Sequence, residues 1–432
     1  MRIEDLVLVS VDDHVVEPPD LFEGRLAAKF VDQAPKLVRK DSGIDVWSFR
    51  GDELPNIGLN AVAGRPPEEY AMDPTSFDEM RPGCYDIHAR VKDMDANGVL
   101  GSMNFPSFPQ FCGQLFARTA RDGDPELALA LVQAYNDWHI DGWCGAYPGR
   151  FIPLCLPPMW DPELMAAEVR RVAEKGCHAI TFSENPVELG YPSIHSGHWD
   201  PFFAACEDLG TVVCAHIGSS SKMVITAPDA PMDVLITLTP VNLVQAAADF
   251  VWSKVPQKFP NLKYALSEGG IGWIPYFRER IDYTYDRHRF WTGQDMGDRS
   301  PSQVFDDQVV CCWIDDPVGV EMRHKMNLDM ITWECDYPHS DSTWPQSPEQ
   351  FLKQMQAAGC TDVEIDKISH ENAMRLFQYD PFTTLGGKEN CTVGALRAKA
   401  AGWDVSVVAR GIKASGTGAM DLANISAANT AK

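Results

Sequence analysis

Leu6-Val-Leu-Val-Ser-Val-Asp-Asp-His-Val-Val-Glu-Pro18 is an apolar run that ends on acids and a histidine. Side chains alternate faces along an extended strand, so Asp12 and His14 share one face and Asp13 takes the other. A carboxylate beside an imidazole at a strand tip suits a hard or borderline divalent cation: one brings charge and the other a directional nitrogen. A satisfied polar strand end has the same residues, and the motif alone leaves both readings open.

Three further strand tips decide between them. His216 ends Thr211-Val-Val-Cys-Ala-His216, Glu268 ends Lys263-Tyr-Ala-Leu-Ser-Glu268, and Asp336 ends Met330-Ile-Thr-Trp-Glu-Cys-Asp336. Gly269 and Gly270 follow Glu268, where glycine lets the backbone turn tightly beside a site. Unrelated polar residues scatter over helices and loops. Four apolar strands that each finish on a metal-competent group point to a metal centre.

Strands and helices alternate along the chain. Strands are read at about 6–12, 98–104, 151–156, 178–183, 211–216, 263–268, 309–314 and 330–336. Amphipathic helices are read at 87–97, 125–144, 162–175, 201–209, 241–254, 275–290 and 348–358. Eight such units predict an α/β fold, a (β/α)8 TIM-type barrel spanning residues 1–380, with reacting groups at the C-terminal strand tips. Two insertions, about 18–86 and 217–240, are expected to lie over the mouth as lids. Residues 381–432 read as a C-terminal extension whose end, 414–432, is rich in small and polar residues and expected to be flexible.

Composition narrows the function. Among 432 residues, 37 Lys and Arg face 61 Asp and Glu, for a net charge of −24, which argues against nucleic acid and anionic membrane as partners. No apolar run reads as a membrane span, and the first residues lack a signal peptide's basic and apolar regions, so a cytoplasmic protein is expected. The 12 cysteines contain no Cys-x-x-Cys pair and read as buried thiols, the vicinal Cys311-Cys312 included.

Asp12-x-His14 with Glu17-Pro18, His216, Ser267-Glu-Gly-Gly-Ile-Gly-Trp273, Cys335-Asp-Tyr-Pro-His339 and Lys367-Ile-Ser-His-Glu-Asn-Ala-Met-Arg-Leu-Phe377 together resemble the amidohydrolase-related branch of the amidohydrolase superfamily, over about residues 5–380. The resemblance implies a barrel with a catalytic divalent metal on Asp12, His14, His216 and Asp336, and activities that include hydrolysis and non-oxidative decarboxylation of small carboxylates. Two positions depart from that pattern. Asp12 stands where many members open with histidine, and Glu268 stands where the decarboxylases carry a catalytic histidine. A carboxylate beside a cation is more readily an ionised ligand than a near-neutral acid and base.

Asp12, His14, His216, Glu268 and Asp336 together exceed what one zinc needs and suit two iron or manganese ions. The chain is similar, in this respect, to relatives with dinuclear non-haem iron or iron–manganese sites, such as the hydroxylase component acting on 2-aminoisobutyric acid. That similarity implies a monooxygenase of small carboxylic or amino acids, using dioxygen and a separate reductase. The alternative is a hydrolase or non-oxidative decarboxylase with one zinc or manganese; a structural partner subunit of a homologous catalytic chain is the third reading. A homo- or hetero-oligomer is expected in each case.

Other residues carry two readings each. Glu17, Glu184, His195 and His198 follow strand ends or precede a helix expected to be capped by Asp200; they either complete a second metal or substrate site or make loop contacts. His339 either orients Asp336 and meets substrate or makes a turn contact. Phe105, Phe108 and Phe111 pack the shell or line an apolar substrate wall.

Overall fold

In the computed structural model, which describes residues 1–227 and 229–411, strand β1 (Val9–His14) is buried at every position and pairs in parallel on both sides. Four short antiparallel strands follow, β2 (Lys36–Arg39), β3 (Asp45–Phe49), β4 (Asp52–Ile57) and β5 (Pro74–Thr75). The remaining strands are β6 (Gly101–Phe105), β7 (Phe151–Ile152), β8 (Ala179–Phe182), β9 (Val212–His216), β10 (Tyr264–Ser267), β11 (Val309–Trp313) and β12 (Ile331–Trp333). The parallel sheet has eight strands in the order β7-β6-β1-β12-β11-β10-β9-β8. A parallel bridge between Cys155 and Ile180 joins its two edges, carried by Cys155 N–H to Ala179 O at 3.1 Å and Thr181 N–H to Cys155 O at 3.0 Å. The expected eight-stranded barrel is therefore present and closed.

Its interior is filled rather than hollow. Val9, Met103, Ala179, Val212, Ala265 and Val310 belong to one buried cluster with Leu376 and Phe377, which arrive from the C-terminal helices. Helices begin where the sequence punctuates them. Asp86, Asp124 and Asp161 accept from first-turn N–H groups of the helices Ile87–Asn97, Pro125–Asp137 and Pro162–Ala173. The helix Asp200–Leu209 differs from expectation: Asp200 is its first residue rather than its cap, and its carboxylate pairs with Lys258 at 2.6 Å.

The first insertion is more ordered than a lid loop. Its strands β2 to β5 form an antiparallel sheet, with β3 and β4 joined across Arg50 and Gly51, both at positive φ (52° and 94°), as a two-residue hairpin requires. The sheet is fixed to the barrel mouth. Trp47 is fully buried and stacks on Phe108 at 4.3 Å, and Val62 N–H donates to Pro338 O at 3.0 Å. Glu17 ties the β6 loop to β1: its carboxylate accepts from Ser107 N–H (2.9 Å), Phe108 N–H (3.0 Å) and the Tyr135 hydroxyl (3.0 Å).

The second insertion is a loop only at its start. From Met232 to Trp252 the chain is a 21-residue helix, and by length and composition it is apolar enough to cross a membrane, which the sequence reading overlooked. Its buried residues Leu243, Ala247, Phe250 and Val251 pack against the barrel, and Asp233, Asn242 and Asp249 interrupt it. The C-terminal extension returns over the first insertion and the helix after it: Val408 N–H donates to Gly64 O at 2.9 Å, and Trp403 Nε1–H to Asp93 of the helix Ile87–Asn97 at 2.7 Å. The stretch 414–432 lies outside the described residues.

Two outcomes test this framework. Trp47→Ala removes the ring that bonds sheet to barrel, and urea denaturation should show a loss of about 3–5 kcal/mol, against little change for Ala at the exposed Val38. Burial pushes the Glu17 carboxyl up to about 7 despite its donors. Between the ordinary glutamate value and that figure the folded state holds a proton the unfolded chain has released, so this group's stability contribution is full at acid pH and is lost as pH rises toward 7. Unfolding free energy of Glu17→Gln should accordingly fall less steeply than wild type between pH 5 and 7; parallel pH curves would contradict this.

Candidate metal centre

The backbone is bent at each strand tip that carries a candidate ligand. Pairing of β1 with β6 shifts register between Ser10 and Asp13, so Val11 and Asp12 together oppose Met103 in a bulge. Glu268 and Asp336 leave their strands with φ of 69° and 59°, left-handed conformations that few residues other than glycine adopt. This shortens two strands relative to expectation, β10 ending at Ser267 and β12 at Trp333, and turns both acids toward the barrel axis. Asp316 fixes the turn after Glu268, accepting from Ile271 N–H at 2.8 Å and Gly272 N–H at 2.6 Å.

Asp12, His14, His216, Glu268 and Asp336 meet there. His14 Nε2 lies 3.5 Å from Asp12 Oδ1, 3.3 Å from Asp336 Oδ1 and 3.3 Å from His216 Nε2. His216 Nε2 lies 3.4 Å from Asp12 Oδ2 and 3.1 Å from Glu268 Oε2. His339 joins them, with Nδ1 3.2 Å from Asp336 Oδ1 and its ring stacked on His14 at 3.5 Å. His216 Nδ1–H donates to Ile217 O at 2.7 Å, which leaves the Nε2 lone pair facing the cluster.

Asp12, His14 and Asp336 are fully buried, yet both oxygens of Asp12 and both of Asp336 lack a hydrogen-bond donor. Burial first, then the negative charges of Glu334 and Glu268, holds the Asp12 carboxyl well above its ordinary range. Burial, then Glu268 and Asp12, does the same to Asp336. Burial, followed by His339, His216 and Arg90, depresses His14. Imidazole nitrogens converging with buried carboxylate oxygens fit a divalent cation in donor type. Among the described residues, three overlapping groups of side chains have the spacing to hold one: Asp12, His14 and His216; His14, Glu268, Asp336 and His339; and Asp12, Cys312 and Glu334.

The remaining candidates are not brought to this cluster. Glu17 is engaged in the loop clamp, and Glu184 accepts from the hydroxyls of Ser219 and Ser220. His195 pairs with Asp249 at 2.6 Å on the surface, and His198 packs edge-on against Trp199. Phe105 and Phe111 line the site, as one of their two readings has it: Phe111 stacks on His216 at 4.2 Å, and Phe105 lies 4.8 Å from it.

Glu334 is the residue the sequence reading passed over. It is fully buried, accepts from the Cys312 thiol and from Glu268 N–H (3.1 Å), and burial raises it to about 8. Its signal was available: in Glu334-Cys-Asp336 the alternation that places Asp336 in the barrel places Glu334 there also. Cys312, read as packing, is its partner inside the barrel.

Solved structures share this architecture. An amidohydrolase from Mycobacterium avium subsp. paratuberculosis K-10 is 20% identical with a TM-score of 0.65, covering 86% of this chain and 99% of its own. The apo IDCase of Metarhizium anisopliae is 16% identical with a TM-score of 0.63, covering 86% and 97%. A 5-carboxyvanillate decarboxylase from Novosphingobium aromaticivorans DSM 12444, complexed with manganese and 4-hydroxy-3-methoxy-5-nitrobenzoic acid, is 17% identical with a TM-score of 0.58, covering 88% and 98%. At these identities the likeness establishes the fold. The amidohydrolase family model matches residues 46–378, most of the barrel and the tips that carry His216, Glu268 and Asp336, and the chain belongs to that family.

Proposed function

We propose that this chain is a divalent-metal-dependent enzyme acting on a small carboxylate-bearing molecule, by non-oxidative decarboxylation or, at the same centre, by hydrolysis. The observation that carries the reading is the convergence of His14 and His216 Nε2 on the donorless carboxylates of Asp12 and Asp336 at the C-terminal end of the barrel. The decarboxylases that share the fold support the lyase form. The oxygenase expected from the sequence has no counterpart among those structures and becomes the second reading.

Asp12, His14, His216 and Asp336 would hold the ion. A divalent cation there supplies Lewis acidity, polarising a carboxylate or carbonyl oxygen or lowering the pKa of a water. The chain's own groups do the rest. Glu268 and His339 have side chains 13% and 12% exposed, against 1% or less for the other four, so they are the members that face the mouth and can pass a proton. Phe105 and Phe111 cover the imidazoles with apolar surface and keep water from them, which strengthens every electrostatic contact inside.

One observation favours the dinuclear hydroxylase as a second reading: Glu268 and His339 complete a second ligand group that shares His14 with the first.

Elemental analysis of protein produced with iron, manganese and zinc all available should find one divalent ion per chain, lost in His216→Ala and in Asp336→Asn. Two iron or manganese ions, with reductant-dependent oxygen uptake, would move the assignment to the hydroxylase. Glu268→Gln separates the two independently. As a proton carrier it should keep the ion while carbon dioxide release or hydrolysis falls about 10²–10⁴-fold; as a ligand of a second ion it should lose one metal per chain.

A further inference from the structure

The helix Ile274–Thr292 is buried along one side, at Ile274, Phe277 and Ile281, and turns an aromatic line to solvent on the other. Tyr276, Tyr283 and Phe290 are 73%, 49% and 83% exposed, and Trp291 beside them is 76% exposed. A seven-residue interval keeps them in one row on a helix. Contiguous exposed aromatics of this size mark an interaction surface.

The row has flanks of opposite sign. Glu279 and Asp286 run along one side and Arg280 and Arg287 along the other, all exposed. Both arginines sit 5.3 Å from the Tyr283 ring, so the basic flank is continuous with the aromatic row. Glu279 lies 3.7 Å from Lys325, with both side chains more than half exposed; such a pair is weak.

An acid–aromatic–base face is complementary to itself in one orientation. Two such helices lying parallel about a two-fold axis along their length set acid opposite base on both sides of an aromatic seam. An antiparallel pair sets acid against acid and base against base. Elsewhere a net charge of −24 makes copies of this chain repel, so this face is a place where self-contact is attractive. We propose that Ile274–Thr292 is the contact of a symmetric dimer of this chain, its aromatic row forming the seam and its charged flanks fixing the parallel register.

Sedimentation velocity of the full chain should show a dimer, and Tyr283→Glu with Phe290→Glu should give a monomer with unchanged circular dichroism and melting temperature. Arg280→Glu with Arg287→Glu should weaken the dimer at least about tenfold, and adding Glu279→Arg with Asp286→Arg should restore it, because the flanks are then merely exchanged. A wild-type monomer at all concentrations, a dimer indifferent to both sets of changes, or a charge reversal that the second pair fails to rescue would each overturn the proposal.

Discussion

The constraint on which the rest of this molecule depends is uncompensated negative charge inside a barrel. Burying a carboxylate without a donor or a cation costs several kcal/mol or shifts its proton affinity instead, and the fold supplies donors to several other acids around the site. Glu17 receives two backbone N–H groups and a tyrosine hydroxyl, Glu184 two serine hydroxyls, Asp316 the N–H groups of a glycine turn, and Asp13 the Ser102 hydroxyl and Tyr337 N–H. Donors are thus at hand throughout this end of the barrel. Neither Asp12 nor Asp336 has a donor at full hydrogen-bond geometry, the Ser267 hydroxyl standing near Asp12, and both face imidazole nitrogens instead. Selective omission is what a cation site requires, since a donor placed there would occupy the lone pairs that bind the metal.

Backbone geometry follows from the same requirement. Regular parallel strands would project alternate residues in directions fixed by the pleat. The bulge at Val11–Asp12 and the left-handed residues Glu268 and Asp336 draw the side chains at the tips together. Such conformations cost about 1–3 kcal/mol each and persist only where the surroundings hold them. Here Asp316 braces the turn after Glu268, Glu334 accepts from Glu268 N–H, and Asp336 N–H donates to Asp12 O at 2.9 Å. Glu334 therefore bears on the site in two ways, by holding Glu268 N–H and by placing its carboxyl group beside Asp12.

The barrel strands were legible because each is a short, wholly buried apolar run, a pattern with few competing readings at that length. The tips were legible for the same reason, a polar residue at the end of such a run being conspicuous. The antiparallel sheet of the first insertion was hidden by its proline, glycine and charge, which mark turns more strongly than Val46-Trp-Ser-Phe49 marks a strand. His195 and His198 carried two readings, and they make loop and surface contacts because a short helical turn intervenes between the strand end and the helix Asp200–Leu209. The helix Met232–Trp252 begins inside the stretch read as a loop: Pro231 precedes its first residue, and Pro240, inside it, sits before the stretch that packs on the barrel.

Access to the centre is the last consequence of the architecture. The Phe111 ring lies flat against His216, and the loop that carries it is held at both ends. Glu17 grips Ser107 and Phe108 on one side; on the other, Gln114 Nε2–H donates to Ser219 O at 2.8 Å, tying the loop to the chain just beyond His216. Between these anchors Gln110 and Gly113 have positive φ of 66° and 73°, so the turn bearing Phe111 is short and sharply bent. A substrate that approaches His216 from its ring face must displace Phe111 while both anchors stay in place. The loop thus holds in place the ring that covers His216. Glu17, whose carboxylate lies away from the imidazoles, meets the site only by holding the start of the loop that carries that ring.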